Sequence, residues 1–498
     1  MAVAEKTFKN YIAGEWADSA NGGTFDSLSP ATGEKIGTFP RSGPEDVDRA
    51  VEAAKDAYRD WRLVPAPRRG EIIFRFARLV EEHKDELADL MAHEMGKVLP
   101  EAGGDVQEAI DMSYYMAGEG RRLFGHTTPS ELPDKFNMSM RMPIGVVGVI
   151  TPWNFPIAIP SWKIVPALVC GNTVVFKPAN DTPLLGEHFV ELLVEAGVPA
   201  GVVNVVHGFG REVGDRMVRH PDVPVITLTG SRETGVAVLK AAADNLKQVH
   251  VELGGKNAIV VLEDADLDLA VDGIVWSAFG TSGQRCTAAS RVIVHEQVYD
   301  ELQSRLVAAA ERLRLGPGWE SDTDVGPVIN KAALEKIDSY TKIGVEEGAQ
   351  LLTGGEVATD NGLDAGFFYR PTIFGGVDPQ MRIAQEEIFG PTTALIQVGS
   401  FDEAVQAANS VRYGLSSSIF TRDVNRAFRA MRDLEAGITY VNAGTIGAEV
   451  HLPFGGTKDT GNGHREAGQA ALDVFTEWKA VYVDYSGRLQ KAQIDTST

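Results

Sequence analysis

IGVVGVITPW (residues 144–153) and IVPALVCGNTVVFKPA (residues 164–179) are short apolar runs that decide the fold of this 498-residue chain. A helical segment from Leu184 to Ala196 follows them. Next come GVVNVVHGFG (residues 201–210), a helix from Glu212 and VPVITLTGS (residues 223–231). Apolar runs that alternate with helices of this length predict strands of a mostly parallel sheet with right-handed crossovers. The pattern is typical of a nucleotide-binding α/β architecture.

The segments outside this block fall into three kinds. PEDVDRAVEAAKDAYRDW (residues 44–61) and residues 65–96 have helical periodicity, and Gly96 closes the second region. From Gly255 a second alternating block begins, which predicts a second α/β domain. Residues 135–143 and 473–487 are two isolated strands whose alternating, aromatic-rich pattern suits a sheet shared between subunits.

Composition limits the partners and the compartment. The net charge of −22 argues against nucleic acid or an anionic membrane surface as the main partner, because the field of the chain repels phosphates. Two cysteines without a CxxC or His-rich spacing indicate a reducing compartment, which predicts a cytoplasmic enzyme with a metal-free mechanism. The start lacks a signal-peptide pattern, and no run reaches the roughly 18 apolar residues that span a bilayer.

One cysteine is a candidate nucleophile. Cys286 stands in GTSGQRCTAASR (residues 280–291), among small polar residues against which a structural thiol would gain little by packing. A reactive thiol favours a polar loop at a helix start, where free N–H groups lower the thiol pKa. Cys170, in PALVCGNTVVF, is predicted to be an inert buried residue. A structural role for Cys286 is the alternative.

Two further residues could complete a catalytic site. Asn154 in TPWNFP follows an apolar strand, and the flanking prolines fix the backbone, so its amide could donate to an oxyanion. Glu252 in VHVELGGKNAIV ends a strand before a glycine pair, where a carboxylate could activate water. An ordinary turn asparagine and a solvated glutamate are the alternatives.

The phosphate-binding signals are individually weak. GFGREVG (residues 208–214) is one residue longer than the dinucleotide fingerprint, and TGSRETG (residues 229–235) offers Ser231 and backbone N–H groups at a helix start. Lys177 ends a strand at the edge where open α/β sheets bind ligands. A plain turn explains each glycine segment almost as well.

The order of these motifs resembles one family. TPWNFP, FKPA, LTGS, VELGGKN, GQRCTAASR, EEIFGP (residues 386–391) and LPFGGTKDTG (residues 452–461) are similar to the motif series of the NAD(P)-dependent aldehyde dehydrogenase superfamily. The resemblance runs from about Tyr11 to Tyr485. It implies that Cys286 is the nucleophile, Glu252 the general base, and Asn154 an oxyanion donor together with the Cys286 N–H.

The resemblance also implies the cofactor and substrate contacts. Lys177 and Glu387 would bind ribose hydroxyls, Ser231 the pyrophosphate, and Phe389 and Phe454 would line the nicotinamide and substrate sides. The cofactor contacts are assigned to Ile150, Thr151, Pro152, Trp153, Lys177, Pro178, Ala179, Asn180, Gly210, Arg211, Gly214, Thr229, Gly230, Ser231, Leu253, Gly254, Glu387 and Phe389.

The family fold implies a division of the chain. Residues 1–121 and 144–253 would form a Rossmann-type dinucleotide-binding domain, and residues 254–454 an α/β catalytic domain. Residues 122–143 and 472–498 would form a small β oligomerisation arm, which implies a homodimer or homotetramer.

Cofactor and substrate choice rest on single positions. Many NAD-selective members have glutamate where this chain has Asn180, so NADP is expected to be tolerated, with an NAD enzyme as the alternative.

Residues 105–131 and 442–468 look most like bacterial 2-oxoglutarate and aminoadipate semialdehyde dehydrogenases, which oxidise aldehydes that carry a carboxylate. Arg285 and Arg122 are candidate anchors for that carboxylate, and structural roles for both are the alternative.

Three other functions stay open at this point. A broad-specificity aliphatic or aromatic aldehyde dehydrogenase would use the same catalytic residues. A cysteine hydrolase would need a histidine base, and His250 is the candidate because it shares a strand face with Glu252. A catalytically silent relative is disfavoured, since nucleophile, base and oxyanion donor are all present.

Overall fold

A computed structural model describes residues 6–495 of the chain. Its strands are β1 (Asn10–Ile12), β2 (Glu15–Ala17), β3 (Thr24–Leu28), β4 (Lys35–Pro40), β5 (His126–Pro129), β6 (Lys135–Pro143), β7 (Val146–Ile150), β8 (Thr173–Lys177), β9 (Val203–Val205), β10 (Val225–Thr229), β11 (Gln248–Glu252), β12 (Asn257–Val261), β13 (Ala289–His295), β14 (Gln350–Thr353), β15 (Thr372–Gly375), β16 (Thr392–Val398), β17 (Tyr413–Gly414), β18 (Ser416–Phe420), β19 (Ile438–Val441), β20 (Thr457–Lys458) and β21 (Thr476–Asp484). Its helices are α1 (Pro44–Trp61), α2 (Ala66–Glu82), α3 (Lys84–Glu94), α4 (Leu99–Glu119), α5 (Ala158–Cys170), α6 (Pro183–Glu195), α7 (Asp215–Arg219), α8 (Arg232–Ala242), α9 (Leu267–Phe279), α10 (Tyr299–Ala310), α11 (Lys331–Glu346), α12 (Arg382–Gln385), α13 (Phe401–Asn409), α14 (Val424–Asp433) and α15 (Ala471–Val474).

The first large sheet has the Rossmann strand order. Its strands run β11-β10-β7-β8-β9-β1-β2; β7 to β11 are parallel, and β1 and β2 add an antiparallel edge. Numbered along the chain, the parallel strands lie in the order 3-2-1-4-5. The order reverses between β7 and β10, and ligands of such sheets bind at the carboxyl ends of the strands near that reversal. The predicted α/β fold with a Rossmann-type sheet is confirmed.

Helix α1 covers this sheet as its sequence predicts. Pro44 occupies the first turn, and the Asp46 carboxylate accepts the N–H of Gly43, which satisfies a donor at the helix start. Four apolar side chains one helical turn apart are fully buried, and the helix packs against β8 and β9: Val47, Ala50, Val51 and Ala54.

One predicted strand is a helix. Residues 164–170 of the apolar run IVPALVCGNTVVFKPA form the end of α5, and only Thr173–Lys177 form a strand, β8. Helix α5 is buried on almost every side, so its sequence lacks the polar stripe that distinguishes a helix from a buried strand. Gly171, with φ of 99°, ends the helix in the left-handed conformation that glycine adopts without strain.

The second large sheet confirms the second alternating block. Its strands lie in the order β14-β15-β16-β13-β12-β18-β19, all parallel except β14. Helices α9 and α10 pack against each other, and α9 contacts β13. Cys286 precedes β13, so this sheet fixes the chain on one side of the candidate nucleophile.

The two isolated strands pair with each other. Strand β6 runs antiparallel to β21 along its whole length, and β5 joins the other edge of β6. The large side chains Trp478 and Tyr482 on β21 are 48% and 66% exposed.

The predicted boundaries between the domains stay a prediction. Within residues 6–495, no helix is both long and apolar enough to cross a membrane.

Candidate active site

The carboxyl ends of four parallel strands meet at one edge of the first sheet. In the registers of the neighbouring strands, Ile150 pairs with Lys177, and Thr229 pairs with Glu252. The turn that holds Asn154 follows β7. The predicted catalytic and cofactor residues on these strands therefore share one edge of the sheet.

Cys286 does not lie at a helix start, which corrects the prediction from sequence. It follows a 3₁₀ turn, Gly280–Gly283, and leads into β13. Thr281 adopts a left-handed conformation, with φ of 53°, and Glu101 of α4 accepts its N–H at 2.7 Å and its hydroxyl at 3.1 Å. The buried carboxylate of Glu101 thus holds the strained turn in front of the cysteine.

Residues after β11 hold the backbone of the predicted nucleophile. The Asn257 amide donates to the carbonyl oxygens of Cys286 (2.8 Å) and Ala288 (2.9 Å), and its own oxygen accepts the Ser416 N–H. A methyl group added at Gly255 would lie 2.5 Å from the Cys286 carbonyl oxygen. The glycine pair of VELGGKN therefore permits a close approach of two backbones.

Two cavities meet at Cys286. Cavity A is lined by Glu252, Arg285, Trp162 and Phe454 among others, and the Trp162 and Phe454 rings pack edge to face. Cavity B lies at the sheet edge. The residues common to both linings are Ile159, Thr229, Leu253 and Cys286. Two molecules bound in the two cavities would meet at the same sulfur atom.

Half of the predicted cofactor residues line cavity B. They are Pro152, Trp153, Thr229, Gly230, Ser231, Leu253, Gly254, Glu387 and Phe389, and Asn154 lines it as well. Ser231 caps α8 by accepting the Thr234 N–H at 3.3 Å, as its position at a helix start predicts. Glu387 accepts the N–H of Gly255 at 3.0 Å.

The other predicted cofactor residues lie along the same edge outside the lining of cavity B. A methyl group added at Gly214 would lie 3.9 Å from both Ile150 and Lys177, so these three residues are neighbours. The Lys177 amine donates to the Pro178 carbonyl, and burial lowers its pKa to about 8. The remaining residues are Thr151, Ala179, Asn180, Gly210 and Arg211, of which Gly210 and Arg211 are exposed. The helix predicted from Glu212 begins earlier, as a π turn over Gly210–Gly214 that continues into α7.

Burial affects the protonation of the predicted catalytic residues. The pKa of the Cys286 thiol is raised to about 12, first by burial and then by the negative charges of Glu387 and Glu252. Burial, followed by the charge of Glu466, raises the pKa of Glu252 well above its usual range. The resting site therefore favours the protonated thiol, the opposite of the lowered pKa expected from a helix start. Cys170 is buried, as predicted.

Asn154 is fixed in place beside the nucleophile. It is buried, and its amide nitrogen donates one hydrogen bond to the Gln284 carbonyl at 3.0 Å. A side-chain amide carries two N–H donors, so one remains for a ligand. This arrangement fits the predicted oxyanion donor.

The sequence pattern did not indicate three residues that lie near Glu252: Lys163, His464 and Glu466. The segment after Phe454 returns to the first sheet, where Gly461 bridges to Glu252. It brings His464 Nε2 to 3.5 Å from Glu252 Oε1, and it places Glu466 in a buried ion pair with Lys163 of α5. The adjoining motif LPFGGTKDTG was the available signal, but proximity across more than 200 residues cannot be deduced from local pattern.

The two candidate anchor arginines differ in position. Arg285 lines cavity A, packs against the Phe155 and Trp276 rings, donates to the Thr281 hydroxyl and pairs with Glu101 at 3.5 Å. Arg122 follows the end of α4, where its exposed side chain pairs with the buried Glu119, and it lies outside the lining of either cavity. Of the two, only Arg285 lies where an aldehyde could reach it.

Known proteins are similar to this chain over almost its whole length. The family model "Aldehyde dehydrogenase family" matches residues 16–481. A protein of Bacillus subtilis named alpha-ketoglutaric semialdehyde dehydrogenase is 42% identical over 484 residues, which are 97% of this chain and 99% of that protein. An alpha-ketoglutarate semialdehyde dehydrogenase of Haloferax volcanii is 43% identical over 479 residues, covering 96% and 99%.

A solved structure shows the same likeness. Betaine aldehyde dehydrogenase of Staphylococcus aureus, crystallised in complex with NAD⁺, superposes with a TM-score of 0.95 at 36% identity, covering 97% of this chain and 95% of that one. The chain belongs to the aldehyde dehydrogenase family. The predicted enzyme class, an aldehyde dehydrogenase that uses NAD or NADP, is confirmed, as is the likeness to semialdehyde dehydrogenases.

Proposed function

We propose that this enzyme oxidises an aldehyde to the carboxylic acid through a thioester on Cys286. The observation that carries the proposal is the meeting of two cavities at Cys286, one lined by Glu252 and the other by the predicted cofactor residues. A single sulfur atom that faces both cavities can bind the aldehyde carbon from one side and present it to the cofactor on the other.

The first step is attack on the aldehyde. Cys286 gives its proton to water, and its sulfur then adds to the carbonyl carbon to form a thiohemiacetal anion. The free N–H of Asn154 and the backbone N–H of Cys286 donate to that anion, while the hydrogen bond to Gln284 keeps the amide in place. When bound, NAD⁺ or NADP⁺ supplies the acceptor for the hydride that leaves this carbon.

The second step is hydrolysis of the thioester. Glu252 takes a proton from water, the hydroxide adds to the thioester carbon, and the C–S bond breaks to release the acid and the Cys286 thiolate. Glu252 lines the same cavity as Cys286, which supports this role. Burial, followed by the charge of Glu466, raises the pKa of this carboxyl group, so Glu252 must lose its proton before it can act as the base.

The chain has a fitting place for the nicotinamide dinucleotide. Within the described residues, the buried Thr229 Oγ1 lacks a hydrogen-bond partner at the junction of the two cavities. The N-terminus of α8, capped by Ser231, presents backbone N–H groups to an anion at the edge of cavity B. Lys177 and Glu387 would hold ribose hydroxyls.

NADP is accepted as well as NAD in this proposal. Asn180 is a half-buried neutral amide beside Lys177 on the chain, and it can donate to a ribose hydroxyl or to a phosphate. Arg211 is exposed at the same edge and could add positive charge. A carboxylate at position 180 would instead repel a phosphate.

The proposed substrate is a semialdehyde that carries a distal carboxylate. Arg285 supports it, because this cation lines cavity A one residue from the nucleophile. The names of the Bacillus and Haloferax relatives favour the same class. The second candidate is a broad range of uncharged aldehydes, which the apolar residues of cavity A favour: Phe155, Ile159, Trp162, Leu415, Ala448 and Phe454.

Assembly and location complete the proposal. We propose a homodimer or homotetramer joined through β5, β6 and β21, because this narrow sheet exposes Phe136, Met140, Trp478 and Tyr482. We also propose a cytoplasmic location, supported by two cysteines that are both free.

The test is a spectrophotometric panel of aldehydes with NAD⁺ and NADP⁺. A pair of equal length, 5-oxopentanoate and pentanal, separates the two substrate classes, and Arg285→Gln should raise KM more for 5-oxopentanoate than for pentanal. Equal kcat/KM for both aldehydes would favour the broad-specificity enzyme. Ester hydrolysis without reduction of either cofactor by any aldehyde would favour a cysteine hydrolase.

A further inference from the structure

The strongest unexplained contact in the molecule lies between a buried carboxyl group and a buried ring nitrogen, neither of which has a hydrogen-bond partner. Within residues 6–495, neither carboxylate oxygen of Glu252 has a hydrogen-bond partner, and neither does Nε2 of His464. These atoms face each other at 3.5 Å, and both side chains are less than a tenth exposed. Unsatisfied polar groups in the interior are costly, so a shared proton would stabilise the pair.

The hydrogen bonds of Asn462 determine the tautomer of His464. The Asn462 amide nitrogen donates to the Val249 carbonyl, and its oxygen accepts the Val251 N–H at 3.1 Å, which fixes the orientation of the amide. His464 Nδ1 lies 3.0 Å from that oxygen and must be the donor. In the neutral ring, Nε2 therefore carries the lone pair, and it is directed at a carboxyl group that can give it a proton.

The groups around the pair favour release of a proton by Glu252. The ring of His250 packs edge to face on His464 with 4.9 Å between centroids, and Arg465 contributes a positive charge near Glu252. Glu466 lies 3.9 Å from Nε2, but Lys163 already holds it in an ion pair. Glu252 is thus the carboxyl group with a proton to release toward Nε2.

His464 also connects the buried site to the surface. Asn462 and Gly463 are exposed, whereas Glu252 is buried. The imidazole ring lies between this exposed turn and the base, and its Nε2 atom is buried on the side of Glu252.

We infer that His464 is a positioning residue that accepts the proton from Glu252 during thioester hydrolysis. Water gives a proton to the Glu252 carboxylate, the Glu252 O–H bond breaks as the N–H bond of His464 Nε2 forms, and the imidazolium loses its proton to solvent. Glu252 is restored as a carboxylate for the next turnover. The inference deepens the proposed function and rests on Cys286 and Glu252 acting as proposed.

The test separates acylation from deacylation. Hydrolysis of p-nitrophenyl acetate by the full-length enzyme reports both without cofactor, as a burst of nitrophenolate followed by a steady rate. His464→Gln should keep the burst and lower the steady rate about 100-fold, the lower end of the range of general acid–base effects. The acidic limb of the steady rate should move to higher pH, because Glu252 must then lose its proton unaided.

Three further variants distinguish a role of His464 in proton transfer from a purely structural role. His250→Gln changes the neighbouring ring and should leave the limb in place. Asn462→Ala, at an exposed position, should slow the steady rate in the same direction. His464→Ala should be rescued by added imidazole, which a structural role would not allow. An unchanged steady rate in His464→Gln, equal loss of burst and steady rate, or absent rescue would each overturn the inference.

These experiments distinguish failure of the inference from failure of the proposed function. Aldehyde oxidation with normal deacylation in His464→Gln would refute this inference and leave the proposed function standing. Ester turnover that depends on His464, without aldehyde oxidation, would refute the proposed function and leave the proton transfer to His464 standing. A wild-type enzyme that turns over neither substrate would refute both.

Discussion

The side chain of Asn257 donates a hydrogen bond of 2.8 Å to the carbonyl oxygen of Cys286. The same amide donates to the Ala288 carbonyl and accepts the Ser416 N–H. It therefore connects the proposed nucleophile to β13 and β18. A group that positions a nucleophile contributes through geometry, and a displacement of about 1 Å can lower the rate about 100-fold.

Asn257→Ala should therefore lower kcat/KM about 10- to 100-fold. It should also lower the free energy of unfolding by about 1–3 kcal/mol, because buried carbonyl and N–H groups lose their partner. Steady-state kinetics and thermal unfolding check both effects. Asn245→Ala, in an exposed turn, is the matched control and should change neither. Full activity in a destabilised Asn257→Ala protein would show that the contact is only structural.

Gly255→Ala should inactivate the enzyme more than it destabilises the fold. The added methyl group would lie 2.5 Å from the Cys286 carbonyl oxygen, so one backbone must move. Gly104→Ala in α4 is the control, because its methyl group meets open space, and it should stabilise the protein by about 0.5–1 kcal/mol. The prediction is wrong if the Gly255→Ala enzyme keeps wild-type kcat/KM.

The raised pKa of Cys286 predicts slow alkylation of the unliganded enzyme at neutral pH. Since the thiolate is the reactive form, the rate with iodoacetamide should rise about tenfold per pH unit from about pH 7 to about pH 10. Peptide mass spectrometry distinguishes Cys286 from Cys170. A plateau below about pH 9 would mean that the thiol is already ionised there.

The same shift predicts a loss of stability in alkali. The folded thiol, with a pKa raised to about 12, holds its proton more strongly than the unfolded thiol, with a pKa of about 8.5. The contribution of Cys286 is complete below the unfolded value and is lost as the pH rises toward the folded value. Urea unfolding of the wild type and Cys286→Ser across this range measures the difference, which should grow smaller with pH.

Asn180→Glu should shift the cofactor preference toward NAD. A carboxylate at this position would repel the 2′-phosphate, so kcat/KM with NADP⁺ should fall at least about tenfold, and kcat/KM with NAD⁺ should hold or rise. Asn180→Gln keeps the neutral amide and serves as control. A wild-type enzyme that strongly prefers NAD⁺ would contradict the expectation that NADP is tolerated.

The local sequence pattern was sufficient to predict those elements whose residue types and hydrophobic periodicity indicate the same structure. Helix α1 and the pairing partners β6 and β21 have the periodicities that their burial requires, and Glu252 stands at a strand end as its position before two glycines predicts. Helix α5 was misjudged because complete burial removes the polar stripe from a helix.

The electrostatics of the site could not be obtained from sequence. The thiol pKa depends on burial and on Glu387, which lies about a hundred residues further along the chain. His464 meets Glu252 only because the chain returns to β11 after the second sheet is complete. Such contacts follow from tertiary packing, so the motif order could indicate Glu252 as a base without revealing its neighbours.

The formation of a thioester on Cys286 is tested most directly by trapping it. Glu252→Gln keeps the shape of the base but cannot take a proton from water, so the enzyme should stop after the first oxidation. With an aldehyde and NADP⁺ or NAD⁺, it should form about one equivalent of reduced cofactor per site. Intact-protein and peptide mass spectrometry should then show the acyl group, the aldehyde less two hydrogens, on Cys286. Sustained turnover without an adduct, or an adduct on another residue, would contradict the mechanism.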